Sequence, residues 1–256
     1  MNPTLSLYTE VFKTNTGYYN EIVETHVQRL TEIDGILPPS STFLILTNTS
    51  TYQYEFISKN IEYATGLRRD ELYSGGIKYL LNKVHKDDVQ IWLLALKDLM
   101  TFCMEEITYS DRIKMSFQYN YRLQVRSNKV VNVVENQIPL VLDDFGKPII
   151  GLGHFTVYDD GIAQPINAYA RILNERNEYE TVYYKNYGFQ QLLGGLSKRE
   201  QDILRLLAIG NTSKEIGEKL FISQHTVDTH RRNILEKLDI SNTSEILAYC
   251  RKNMFL

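Results

Sequence analysis

Apolar positions in the first 37 residues recur at three- and four-residue steps. Tyr8, Val11 and Phe12 form one group, and Ile22, Val23, Val27 and Leu30 form another. This period predicts helices with one greasy face. Pro38-Pro39-Ser40-Ser41 ends them, since proline cannot continue a helix. The helices either pad the domain that follows or supply a dimer surface. From residue 42 the pattern shortens towards alternation. Residues 42–47 and 53–58 predict two strands, and Gly66, Gly75 and Gly76 break the short helical pieces after them. A longer helix is predicted over 86–102, with Asp87 and Asp88 favourable at its positive end. Strands are predicted at 114–126, 129–141 and 148–158. They are joined by turns at Ser127-Asn128 and at Asp143-Asp144-Phe145-Gly146-Lys147. The order β-β, helices, β-β-β predicts an antiparallel five-stranded sheet with helices crossing one face, an α+β domain over 38–160. Residues 161–195 read as a linker, helical from 169 to 187 and jointed at Gly194-Gly195.

The last sixty residues punctuate themselves into four short helices. Ser197-Lys198-Arg199-Glu200 and Thr212-Ser213-Lys214-Glu215 are capping boxes, in which hydroxyl and glutamate satisfy orphan N–H groups reciprocally. Gly210 suits a left-handed stop. Ser223 caps a third helix reaching to Leu238, and Asn242 with Glu245 opens a fourth. Short links between short helices force them to cross. On a helical wheel the third helix gathers Val227, Ile234, Leu235 and Leu238 on one side. His225, Thr229, Arg232, Asn233 and Glu236 fall opposite, with Asp228 at the margin. That outer face carries the donors, acceptors and methyl group that major-groove base edges call for. Arg232 suits paired hydrogen bonds to guanine, and Thr229 suits a thymine methyl. Asp228 suits a cytosine amine, or repels phosphate and so restricts register. Lys214, at the start of the second helix, would sit near the phosphates. Arg231 faces the apolar side, so its stem packs while its head reaches out towards phosphate. The pattern alone leaves open a helical bundle with a merely solvated charged face.

Charge separates the same two regions. The chain of 256 residues carries a net −3. Residues 188–256 hold 10 Lys and Arg against 8 Asp and Glu, and the rest holds 18 against 23. A slightly basic end on an acidic body suits a DNA-binding module joined to something else. Tyrosine occurs 18 times, as half-buried sheet surface and interfaces favour.

The chemistry-bearing motifs of enzymes are absent. There is no Walker loop, dinucleotide glycine fingerprint, zinc spacing or Gly-x-Ser-x-Gly elbow. No acidic pair after a buried strand marks a phospho-acceptor domain. The expectation is therefore no catalysis and no cofactor required by the sequence, with any ligand unknown. His85 and Cys103 invite haem and flavin readings. However, His85 reads as a helix-entry residue, Cys103 as a buried thiol, and Trp92 with its leucine neighbours as core. Nothing resembles a signal peptide or a membrane span. Two distant cysteines, Cys103 and Cys250, argue for a reducing cytoplasm.

At this point the residues carry a resemblance. Leu196-Ser197-Lys198-Arg199-Glu200-Gln201-Asp202-Ile203-Leu204, Gly210 through Ile216, and Ser223 through Ile234 with Lys237-Leu238 resemble the LuxR-type (GerE-like) helix-turn-helix domain. The resemblance implies an all-α four-helix DNA-binding domain over 196–256. In that family the outward residues after the Thr226-Val227 pair touch bases, here Asp228, Thr229 and Arg232. Asp228 stands where lysine is common. The candidate DNA-contacting set is Lys214, Thr226, Asp228, Thr229, Arg231, Arg232 and Asn233. Pairing through the fourth helix is also implied, here by Ile246, Leu247 and Tyr249.

The region before it resembles a PAS domain. The resemblance rests on Ile57-Ser58-Lys59-Asn60-Ile61 with Thr65-Gly66, on Val84-His85-Lys86-Asp87-Asp88, on Tyr121-Arg122-Leu123, and on Asp144 through Gly151. It implies a sensor of a small molecule, redox state or light that also pairs with another subunit. Together these predict a cytoplasmic, homodimeric transcription regulator acting on double-stranded DNA, with a small-molecule ligand in the PAS-like part and no membrane association. Two rivals are a co-regulator that pairs with another regulator without touching DNA, and a catalytic sensor domain.

Overall fold

The structure is a computed structural model that describes residues 3–14, 21–125, 129–159, 161, 163–188, 196–238, 240–242 and 244–245. The chain divides into two compact units, Met1–Lys185 and Asn186–Leu256. Among the described residues, no helix is long and apolar enough to cross a membrane.

The first unit is built on one antiparallel sheet. Its strands are β1 (Thr42–Asn48), β2 (Gln53–Ile57), β3 (Met115–Gln124), β4 (Val130–Leu142), β5 (Pro148–Asp159), β6 (Asn167–Leu173) and β7 (Tyr179–Asn186), in the order β2-β1-β5-β4-β3-β6-β7. Helices α1 (Pro3–Val11) and α2 (Glu21–Ile36) precede it. Helices α3 (Asn60–Thr65), α4 (Arg69–Leu81) and α5 (Val89–Glu106) connect β2 to β3. Alternation sorts each strand's side chains between two faces. On one face, Val23 and Leu30 of α2 pack with Leu46, Phe56, Ile149 and Ile150. The other face carries Phe117, Tyr119 and Tyr121 of β3 opposite Gln137, Glu135 and Val133 of β4. The amino-terminal helices therefore pad this domain: α2 covers the sheet, and Tyr8 of α1 lies 6.4 Å from the Trp92 ring on α5. Gly76, with φ +56, kinks α4 where a Cβ would stand 2.6 Å from the Tyr52 carbonyl.

Asp88 does more than favour a helix end. It occupies the N-cap of α5 without capping it. Its carboxylate instead accepts from Arg122 N, Nε and Nη2 at 2.9, 3.0 and 2.6 Å. The ion pair is buried and fastens α5 to β3.

Two expectations are corrected. The sheet has seven strands, not five, and residues 167–186 form β6 and β7 where a helical linker is expected. An unpaired β3 edge explains both. The backbone groups of β3 that do not bond β4 need partners, and β6 supplies them, with the fully buried Ala168 and Ala170 opposite Tyr119 and Phe117. Asn174 and Asn177 make the reversal: the Asn174 side chain accepts from Arg176 N and Glu178 N, and Asn177 takes a left-handed φ of 59°. The turn chemistry outweighs the helical spacing around it. The predicted turn at Ser127-Asn128 lies outside the described residues. The turn at Asp143 is as expected, with its carboxylate accepting from Phe145 N and Lys147 N around Gly146 at φ +78.

The second unit packs three helices, α6 (Lys198–Ala208), α7 (Ser213–Leu220) and α8 (Gln224–Leu238), on Leu196, Ile203, Leu204, Leu207, Ile216, Val227 and Ile234. Both capping boxes form. Asn211 N bonds back to Leu206 O past Gly210 at φ +89, closing α6 as expected. Asn242 and Glu245 bond reciprocally at the start of a fourth turn. Ile246, Leu247, Tyr249 and the joint at Gly194-Gly195 lie outside the described residues.

Candidate nucleic-acid interface

The turn between α7 and α8 is tight because Gly217 has no side chain. A Cβ there would stand 2.8 Å from Ile222 O. Phe221 caps α7 in the left-handed region and Ile222 N bonds Gly217 O at 3.0 Å, so the chain reverses within a few residues. Ser223 then accepts from Thr226 N at 3.0 Å and starts α8. Val227 and Ile234 lock one side of α8 into the core, with Leu235 and Leu238 packed at its margin. The opposite side is left to solvent as the wheel predicts: His225, Asp228, Arg232 and Glu236 are exposed, and Thr229 and Asn233 are half-buried.

The seven candidate residues fall into two states. Lys214 and Arg232 are exposed and make no hydrogen bond or ion pair within the described residues, so both cations are available. Thr226, Asp228, Thr229 and Arg231 are held, while half-buried Asn233 makes no side-chain hydrogen bond within the described residues. Thr229 Oγ1 donates back to His225 O at 3.0 Å. Thr226 shares a hydrogen bond with Ser223. Asp228 accepts from Ser213 Oγ at 2.6 Å, and Ser213 in turn accepts from Arg231 Nη1 at 2.6 Å. This chain places the first turn of α7, and with it Lys214, beside the outward residues of α8. Ser213 is a positioning residue that sequence reasoning missed, because its partners lie fifteen or more positions away and leave no local signal.

The frame behind this face is electrostatic as well as apolar. Glu200, buried in the first capping box, accepts from Ser197 N and from Lys237 Nζ, both at 2.7 Å. Burial alone would raise its carboxyl. The Lys237 ammonium and the Ser197 N–H outweigh burial and hold it at about 2. Arg199 Nη2 donates to Leu220 O at 2.7 Å and closes the end of α7.

The first unit contains a cavity of about 90 Å³ on the helix-covered face of its sheet. Glu135 stands in its wall, 4% exposed. Tyr119 Oη and Gln137 Nε2 donate to Glu135 Oε1 at 2.8 and 2.7 Å, and Tyr121 Oη donates to Oε2 at 2.6 Å. Burial pushes the carboxyl up against these three donors. Trp92 also lines the cavity, and its buried Nε1 has no acceptor among the described residues. His85 is a helix-entry residue, its N–H bonded to Arg122 O. Burial pushes the Cys103 thiol up to about 11, away from a reactive thiolate. Glu135 was invisible in the sequence: one glutamate at an inward strand position carries no motif.

Residues 195–250 match the family model of bacterial regulatory proteins, luxR family. The transcriptional regulatory protein LiaR of Bacillus subtilis is 53% identical over 58 residues, which is 23% of this chain and 28% of that protein. The oxygen regulatory protein NreC of Staphylococcus carnosus is 46% identical over 61 residues, 24% of this chain and 28% of its own. The chain thus spans less than a third of the length of either relative. A solved structure of VqmA bound to DPO covers 86% of this chain and 89% of its own at 12% identity, with a TM-score of 0.34.

Proposed function

We propose that this chain, whose carboxy-terminal unit is a LuxR-type helix-turn-helix domain, is a cytoplasmic, dimeric, sequence-specific transcription regulator with a PAS-like small-molecule sensor in front. The observation that carries the DNA-binding reading is the division of α8. Val227 and Ile234 are fully buried, while the exposed Arg232 on the opposite side makes no hydrogen bond or ion pair within the described residues. A solvent-exposed row of polar groups on a helix rigidly held by its other side suits the major groove. In this assignment Lys214 contacts phosphate, Thr229 and Arg232 read bases, and Thr226, Asp228, Arg231 and Asn233 complete the face. The sensor reading rests on the order β2-β1-β5-β4-β3 with helices between β2 and β3, and on the cavity lined by those helices and the sheet.

The experiment is salt-dependent binding of the full chain to duplex DNA. Released counterions make log K fall linearly with log salt, with a slope of about −0.9 per phosphate neutralised. A slope several units steep supports DNA binding. The co-regulator reading keeps one observation in its favour, the exposed carboxylates Asp228 and Glu236 on the solvent side of α8, and it predicts no duplex binding at any salt.

A further inference from the structure

Glu135 is a buried carboxylate with hydrogen-bond donors but, among the described residues, no counter-charge. Tyr119, Tyr121 and Gln137 occupy three of its roughly four lone-pair sites. Among the described residues no lysine, arginine or histidine pairs with it. Neutral donors orient a carboxylate, but they leave its charge uncompensated in a low-dielectric interior, which is costly. Its surroundings are π-faces. Tyr8, Tyr54 and Trp92 line the same cavity, and the Trp92 ring lies 6.3 Å from Tyr119 and 5.1 Å from Tyr121. Ring faces attract positive charge through their quadrupoles. Gly153 leaves room for two of the lining side chains, because a Cβ there would stand 2.6 Å from Gln137 Nε2 and 2.5 Å from the Phe155 ring. The cavity, at about 90 Å³, is smaller than the ~150 Å³ that holds benzene in an apolar core. Its volume suits a molecule of a few carbons. Residues outside 188–256 carry 23 acidic against 18 basic groups, which draws cations towards this unit.

We propose that this cavity takes a small organic ammonium ion, whose charge is met by the Glu135 carboxylate and by the ring faces of Tyr8 and Trp92. The inference rests on reading the amino-terminal unit as a small-molecule sensor and names the chemical class it reads. The carboxylate's remaining lone pair accepts one N–H of the ligand. Tyr119 and Tyr121 hold the carboxylate in place, and the alkyl part fills the apolar space near Ile77 and Phe155.

Trp92 is the sole tryptophan, so its emission in the full-length protein reports on this cavity. The test is a fluorescence titration with isobutylammonium chloride and with isobutanol, its neutral isostere. The expected result is a saturable change with the ammonium ion at least tenfold tighter than with the alcohol. Glu135→Gln, which keeps an oxygen for the tyrosines, should weaken the ammonium at least tenfold more than it weakens the alcohol. The wild-type comparison stands even if that variant does not fold. Equal affinity for the two probes, or an unchanged ammonium affinity in a folded Glu135→Gln protein, overturns the cation assignment while leaving a small-molecule site. No saturable response to either probe overturns both the assignment and the cavity as a sensor site.

Discussion

Lys237 Nζ lies 2.7 Å from Glu200 Oε2, so the end of α8 is tied to the capping box that opens α6. One carboxylate thus serves a helix start and a tertiary contact. Glu200→Gln keeps the size but loses the charge, leaving Lys237, itself 45% exposed, to solvent. The expected cost is about 2 kcal/mol, below the full penalty of a broken buried pair because one partner is half in water. The pH dependence follows from the depressed carboxyl, at about 2 against an ordinary 4.5. A depressed acid stabilises the fold while it is ionised. The contribution is complete above the ordinary value and is lost as pH falls from 4.5 towards about 2. Thermal unfolding followed by helical circular dichroism should show a gap between wild type and variant that is constant near neutrality and closes over that acid range.

Phe221 is 95% exposed in the left-handed region, at φ 55 and ψ 44. A side chain there is strained, and this one buries almost nothing. Phe221→Gly should stabilise the carboxy-terminal unit by about 0.5–1 kcal/mol, the relief of strain exceeding glycine's extra backbone entropy. A raised melting temperature in calorimetry checks this.

Asp88→Ala should cost the amino-terminal unit about 3–5 kcal/mol, since Arg122, only 13% exposed, would be left without its counter-ion. The urea midpoint read from Trp92 emission should fall accordingly. The secondary structure of α6 to α8 should be untouched, because both partners lie in the other unit.

Lys214→Ala should weaken duplex binding about equally for all sequences and reduce the salt slope by about one unit, as the loss of a single phosphate contact does. Binding isotherms over a salt series check both. A loss confined to one sequence would instead place Lys214 at a base edge.

Much of this was legible because its causes are local. Capping boxes at Ser197 and Thr212, the stop at Gly210 and the Asp143 turn depend on residues within a few positions, and each forms as read. The outward face of α8 was legible for the same reason: period and polarity alone sort Val227 from Arg232. The failures are non-local. Strand β6 pairs the free edge of β3 and β7 follows it at the sheet's end, a long-range pairing that residues 167–186 do not announce. Asp88 looked like a helix-dipole residue because Arg122 is thirty-four positions away. The Ser213 link to Asp228 and Arg231, and the tyrosines around Glu135, arise only when separate elements meet.

The central claim is that the solvent side of α8 reads bases, and selection from a randomised duplex library measures it directly. The wild-type chain should enrich a two-fold related motif with half-sites about one helical turn, ~34 Å, apart. Arg232→Ala should enrich the same motif with one base position per half-site relaxed, at a cost of about 1–3 kcal/mol. Enrichment of nothing by wild type, or an unchanged motif and affinity with Arg232→Ala, would contradict the account.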